Sequence, residues 1–171
     1  MNFAELSAKL KTASTATLTS VLRNKGLHNT FMHQVAPLQP DMQLVGRAFT
    51  LRYLPAREDL DAVPLDNLQD VQRIGIERIG EGEVLVIDAR GDTRAGTMGS
   101  ILAARIQMRG CSGIVTDGAY RDSPMIAASG LPAYAAAMNA HTNKTIHHPS
   151  EIQVPVACGG VAVFPGDLIV G

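Results

Sequence analysis

EVLVIDARGDTRAGTMGSILAARIQMRGCSGIVTDGAYRD, residues 83–122, reads as strand, loop, helix and strand. The run EVLVIDA (83–89) is continuously apolar and rich in β-branched residues, the character of a parallel strand covered on both faces. Residues 92–99 then form a glycine-rich loop. Over 100–109, Ile101, Ala104 and Met108 share one helical stripe that Leu102 and Ile106 widen, and Gly110 stands where a C′ glycine ends a helix. Ile114 and Val115 open a second buried strand that runs into Asp117 and Gly118. Such a crossover is right-handed. Both loops leave the carboxyl ends of parallel strands, where open α/β sheets place their ligands. The fold class is therefore α/β, with both loops facing one crevice.

The second loop carries Arg121 beside Asp122. A guanidinium presents paired donors that match a carboxylate or enolate bidentately, which an ammonium does not. Asp122 supplies the hard oxygen that Mg²⁺ or Mn²⁺ prefers, with water and substrate oxygens filling the remaining positions. The same pair also reads as solvated residues opening the next helix, with Asp122 complementing its dipole. In the first loop, Gly99 permits close backbone approach, and the free N–H groups of Gly99, Ser100, Ile101 and Leu102 form an anion site at a helix start. A plain tight turn explains Gly96 and Gly99 as well. The spacing Gly91, Gly96, Gly99 is not GxGxxG and no GK[ST] follows, so neither a dinucleotide site nor a P-loop is supported. Convergence of the two loops points to chemistry on a small oxo-acid.

Residues 91–122, together with HHPSEIQVPVACGGVAVFPGDLIVG (147–171) and STATLTSVL (14–22), resemble the RraA-like family, which includes 4-hydroxy-4-methyl-2-oxoglutarate/4-carboxy-4-hydroxy-2-oxoadipate aldolases and regulators of ribonuclease E activity. The likeness covers nearly all of the chain. It implies a single domain, 1–171, with a central mixed sheet of the swivelling β/β/α type. It also implies a Mg²⁺- or Mn²⁺-dependent aldolase that cleaves a 2-oxo-4-hydroxy acid to pyruvate, with oxaloacetate decarboxylation as a side activity. By the same resemblance, Arg121 binds the pyruvyl carboxylate and enolate oxygens, Asp122 ligates the metal, and the backbone of Gly99, Ser100, Ile101 and Leu102 holds the carboxylate. The assembly it implies is a homotrimer or a pair of trimers.

Two departures stand out. The family's aldolases carry an acid twenty-one positions before the arginine, thought to order a metal-bound water that moves protons; here that position is Ser100. A serine hydroxyl is no base near neutral pH without an activating partner. Its plainer reading is a helix-start serine satisfying backbone donors. The family's chains also continue past an apolar run such as FPGDLIVG (164–171), with a C-terminal segment that gives a glutamate to a neighbouring subunit; the expectation here is a domain lacking that segment.

A chain of 171 residues can bury about 70% of its unfolded surface as one domain. Charged residues are only 18% and apolar residues 46%, against roughly 25% charged in ordinary soluble chains, a shortage that suits buried subunit interfaces. The formal net charge of −1 with no basic block leaves no electrostatic footprint for nucleic acid, so a ribonuclease regulator would act through protein contact. Cys111 and Cys158 form neither CxxC nor a zinc spacing and read as small buried hydrophobes of a cytoplasmic protein. No stretch approaches a membrane span of ~20 apolar residues, and the first residues lack a signal-peptide core.

Elsewhere, 2–11 and 16–24 read as helices, the second with Ser14 and Thr15 as cap candidates. Residues 42–54 read as one long or two short strands with Arg47 and Arg52 facing outward. Residues 59–82 read as one helix after Pro64, interrupted by Gly75. Short strands are expected at 132–138, 152–156 and 161–164. His147 and His148 would point to opposite faces of a strand and so not share a metal, while Pro149 favours a loop. Metal ligand, substrate contact and hydrogen-bonded surface group are all open to them. Two functional classes follow: a metal-dependent carbon–carbon lyase, favoured by Arg121 and Asp122, and a non-catalytic regulator, favoured by Ser100. A narrower third is a lyase or decarboxylase for a sugar-derived oxo-acid in which His147 or His148 replaces the missing acid.

Overall fold

A computed structural model describes residues 2–61 and 66–171. In chain order the elements are α1 (Phe3–Lys11), α2 (Thr15–Asn24), β1 (Ala36–Pro37), β2 (Val45–Pro55), α3 (Val71–Arg78), β3 (Glu83–Asp88), β4 (Gly96–Met98), α4 (Ser100–Met108), β5 (Gly113–Thr116), β6 (Ala119–Tyr120), α5 (Ser123–Ala128), β7 (Ala133–Ala135), β8 (Ala137–Met138), a 3₁₀ turn (Asn143–Thr145), β9 (His147–Ile152), β10 (Val156–Cys158), β11 (Val161–Val163) and β12 (Leu168–Val170). Asn2 and Glu5 cap α1 reciprocally, and the Ser14 hydroxyl caps α2, each satisfying amides that a first turn leaves free.

The mixed sheet runs β1-β7-β5-β3-β2-β12. β7, β5, β3 and β2 are mutually parallel, whereas β12 and β9 lie antiparallel against successive halves of β2. Strand alternation sorts the core into two layers. Leu85 and Ile87 of β3 join Phe49, Leu51 and Ile114 against Ile76, Ile106 and Ile126 of the helices. Val84 and Val86 face the other way, onto Val156, Val161 and Val163 of the β10–β11 hairpin. The sheet thus lies between helices and a second β layer, with both faces of β3 buried, as its unbroken apolar run requires. Among the described residues no helix is long and apolar enough to cross a membrane.

The expected 83–117 unit is present, and Gly110 takes φ +81° after α4, a left-handed backbone that glycine accepts without strain. Residues 42–54 hold one strand rather than two, β2, which starts only at Val45; Arg47 stacks over the Phe3 ring and Arg52 pairs with Glu151 at 2.9 Å, both on the outside. Other expectations are corrected. The helix start after Pro64 lies outside the described residues, and α3 begins only at Val71, where the Asp70 carboxylate caps the Arg73 amide. The 92–99 loop contains β4, which pairs with β6 and, through it, β8 in a separate three-stranded parallel sheet. The 132–138 strand divides into β7 and β8 because the Ala136 and Ala137 amides turn to the Gly118 carbonyl. The 152–156 strand is replaced by β9 and β10, separated at Gln153, whose φ is +56°. The last hairpin strand ends at Val163 rather than Phe164.

Candidate active site

β4 delivers the chain to the start of α4, and the parallel β6 delivers it to α5, so two helix entrances lie side by side. The two strands can approach this closely because of two glycines. A Cβ on Gly96 would sit 2.7 Å from the Arg121 amide nitrogen and still closer to the Arg121 side chain. One on Gly99 would sit 2.8 Å from Asp122 Oδ2. The Arg121 amide donates to the Met98 carbonyl at 2.9 Å, which fixes the register of the crossing. Asp122 then adopts φ +52° and ψ 31°, a left-handed conformation that a non-glycine residue holds at a cost of order 1–3 kcal/mol, typical of functional sites.

These residues line a pocket of about 310 Å³ with Gly96, Thr97, Met98, Gly99, Ile101 and Leu102. The Arg121 Nε is buried without a hydrogen-bond partner, an arrangement that is costly unless a ligand completes it. Ser100 does not reach its own helix amides. Its backbone N–H and hydroxyl both donate to Asp122 Oδ2, at 3.2 and 3.1 Å. The predicted Gly99, Ser100, Ile101, Leu102, Arg121 and Asp122 are thus brought together.

The opposite wall was missed in the sequence. Gln72 and Arg73 of α3 and Thr142, Asn143 and Lys144 around the 3₁₀ turn complete the pocket. Beneath them, buried Gln72 donates to the Thr97 carbonyl at 2.8 Å and accepts from Asn143 Nδ2 at 2.8 Å, while Tyr53 Oη donates to the same carbonyl at 3.0 Å. Lys144 pairs with the buried Asp70 carboxylate. The local signal was slight: two amides, two cations and a threonine in segments far apart in sequence, placed only once β9 crosses β2.

Asp117, at the end of β5, is a structural pin. Its carboxylate accepts the Ala89 and Gly91 amides at 2.7 and 3.0 Å, holding the β3 exit loop, and burial pushes it above the ordinary carboxylate range. Cys111 and Cys158 are buried and unpaired.

The histidines do not supply the acid missing at Ser100. They lie in β9, not in a loop, and point to opposite faces. His148 Nδ1 sits 2.7 Å from Asp61 Oδ1 beside a second cavity. Burial alone would raise the Asp61 carboxyl, but His148 and the Arg57 amide outweigh it and hold it low. His141 meets β4 through its backbone carbonyl, which accepts from the Gly96 amide. His147 is fully buried and stacked on Tyr53 at 5.2 Å between centroids, and neither of its ring nitrogens makes a hydrogen bond. Burial, aided by the Arg90 charge, holds it below the ordinary histidine range. A base depressed in the folded state binds its proton first in the unfolded chain, so stability falls as pH drops through and below about 6.5. Thermal unfolding of His147→Phe, which keeps the stack, should lose much of that acid slope; an unchanged slope would remove His147 from the account.

Residues 15–171 match the RraA-like family, described as Aldolase/RraA. A Halalkalibacterium halodurans protein provisionally named 4-hydroxy-4-methyl-2-oxoglutarate aldolase is 32% identical over 137 residues, covering 80% of this chain and 60% of that protein. The chain thus spans less than two thirds of that relative's length. Streptomyces coelicolor RraAS2, described as an unusual member of the RNase ES inhibitor RraA protein family, superposes with a TM-score of 0.88 at 30% identity over 99% of this chain and 81% of that one. The RNA-processing inhibitor RraA from Thermus thermophilis shares the fold, with a TM-score of 0.65 at 24% identity over 90% of this chain and 86% of that one. The β/β/α layering, the paired loop entrances and a match over residues 15–171 agree: the chain belongs to the RraA-like family of aldolases and RraA proteins.

Proposed function

We propose that this chain is a divalent-metal-dependent carbon–carbon lyase that cleaves a 2-oxo-4-hydroxy dicarboxylic acid, of the 4-hydroxy-4-methyl-2-oxoglutarate kind, to pyruvate, and that it also decarboxylates oxaloacetate. The observation that carries this reading is the unpartnered, buried Arg121 Nε sharing one pocket with the Asp122 carboxylate and the start of α4. Names of relatives such as the Halalkalibacterium protein support it.

The donor set fits a Mg²⁺ or Mn²⁺ ion held mainly by water and substrate. Asp122 commits Oδ2 to Ser100 and keeps Oδ1 for a cation, and among the described residues no three His, Cys, Asp or Glu side chains gather into a closed metal cage. Such sparse protein ligation is usual for Mg²⁺. When bound, the ion supplies Lewis-acid polarisation of the substrate's keto oxygen. The Arg121 guanidinium grips the pyruvyl carboxylate and the keto oxygen on which negative charge grows as the C3–C4 bond breaks. The Ile101 and Leu102 amides at the start of α4 receive the remaining carboxylate oxygen. The 4-hydroxyl becomes the carbonyl of the second product, its proton passes to pocket water, and C3 takes up a proton to give pyruvate. Among the described residues Asp122 is the only carboxylate lining the pocket.

Release of pyruvate from 4-hydroxy-4-methyl-2-oxoglutarate and from oxaloacetate, with Mg²⁺ or Mn²⁺ and not with EDTA, is the expected result. No release from any 2-oxo acid tested would sink the lyase. Ser100 in place of the acid favours a second reading, a non-catalytic regulator acting by protein contact, which the likeness to RraAS2 supports. We also propose a homotrimer or hexamer. Ile101 and Met108 on α4 and Met125 on α5 are exposed apolar groups that subunit contact would cover, and a monomer in light scattering at micromolar concentration would count against it.

A further inference from the structure

We propose that Ser100 is a positioning residue for Asp122, replacing by hydrogen bonds the order that a second carboxylate would need a cation to produce. The inference rests on reading Asp122 as the cation ligand. Both donors of Ser100 converge on one oxygen of Asp122, the amide at 3.2 Å and the hydroxyl at 3.1 Å. The same oxygen is seated against Gly99, where an added Cβ would stand 2.8 Å away. The Asp122 backbone is held in the left-handed region, so neither its main chain nor its Oδ2 is free to drift.

What this clamp leaves is the other oxygen. Among the described residues Oδ1 accepts no hydrogen bond, and Asp122 faces the pocket that Arg121 lines. One carboxylate is thereby divided into a structural oxygen and a ligating oxygen before any ion arrives. An acid at position 100 would instead set two carboxylates side by side, an arrangement that needs a shared cation or proton to be tolerated. A hydroxyl donates and needs neither. The cost is ligand count. A single protein oxygen gives a looser site, in which the substrate's own oxygens supply much of the affinity.

Mn²⁺ binding, read from the loss of the free-ion paramagnetic resonance signal without substrate, tests this apart from turnover. Ser100→Ala keeps the amide donor and removes the hydroxyl, so the Mn²⁺ Kd should rise about five- to tenfold, the worth of one typical net hydrogen bond. Ser100→Thr should restore it, and the thermal unfolding of both variants should stay close to wild type, since the side chain sits at a half-buried helix start. Asp122→Asn should abolish binding. If Asp122→Asn abolishes binding while Ser100→Ala binds as wild type does, or while threonine fails to restore it, the positioning role is wrong and the ligand reading stands. If Asp122→Asn binds Mn²⁺ normally, the ligand reading itself is wrong and the role of Ser100 goes with it.

Discussion

Arg121→Ala is expected to lower kcat for pyruvate release by about 10²-fold or more, with a smaller change in KM. The asymmetry follows from where charge appears. The carboxylate is present throughout, but the oxyanion on the keto oxygen develops only as the bond breaks, and groups aimed at developing charge act mainly on the transition state. The Arg121 Nε is buried and unpartnered while the residue lines the pocket, so the guanidinium is held in place before substrate enters. Arg121→Lys should recover little, because a single ammonium cannot span two oxygens. Steady-state kinetics on both variants decides it. A rise in KM at constant kcat would mean uniform binding rather than catalysis, and an unchanged kcat would leave the regulator as the better account.

Gly96→Ala should damage both stability and turnover, although it touches no reacting atom. Its Cβ would enter space held by the Arg121 amide and side chain, in a buried strand whose register depends on the Arg121-to-Met98 hydrogen bond. Overpacking of this kind costs about 1–3 kcal/mol, a fall of roughly 2–4 °C in Tm per kcal/mol for a chain of this size. Displacement of the guanidinium by even ~1 Å should cost about 10²-fold in kcat. Differential scanning calorimetry beside kinetics separates the two effects. A variant with wild-type Tm and wild-type kcat would show that β4 and β6 have room to part.

Much of this was legible because the decisive residues are local. EVLVID announces a doubly covered strand by having no polar alternation, and Gly110 marks the end of α4 in one letter. The site loops follow directly from those elements, so the sequence alone places Gly99, Arg121 and Asp122 at one crevice. The second parallel sheet was not legible. Strands of two and three residues show no period, and β4, β6 and β8 exist only because each buried strand is followed by a short extension lying beside its neighbour's. Gln72, Arg73 and Lys144 were missed for a related reason. Their segments meet the pocket through the long-range pairing of β9 with β2, and no spacing within either segment records that. The His147-His148 pair lies in a strand, yet its sequence stays open between strand and loop because Pro149 looks like a strand breaker. β9 accommodates it beside the bulge at Arg52 and Tyr53, where a missing amide is tolerated.

The position of β2 also has a consequence for how the chain comes to be folded. Its flanking partners on one side arrive late. Arg52 and Glu151 are 99 residues apart, and Leu168 pairs with Arg47. On a ribosome, β2, β3 and β5 emerge and can associate while one edge of β2, rich in apolar residues, still waits for β9 and β12. Loop closure over such distances slows folding, and an open apolar edge is a template for another chain. Nascent chains of this protein should therefore depend on chaperones until β9 and β12 have left the exit tunnel.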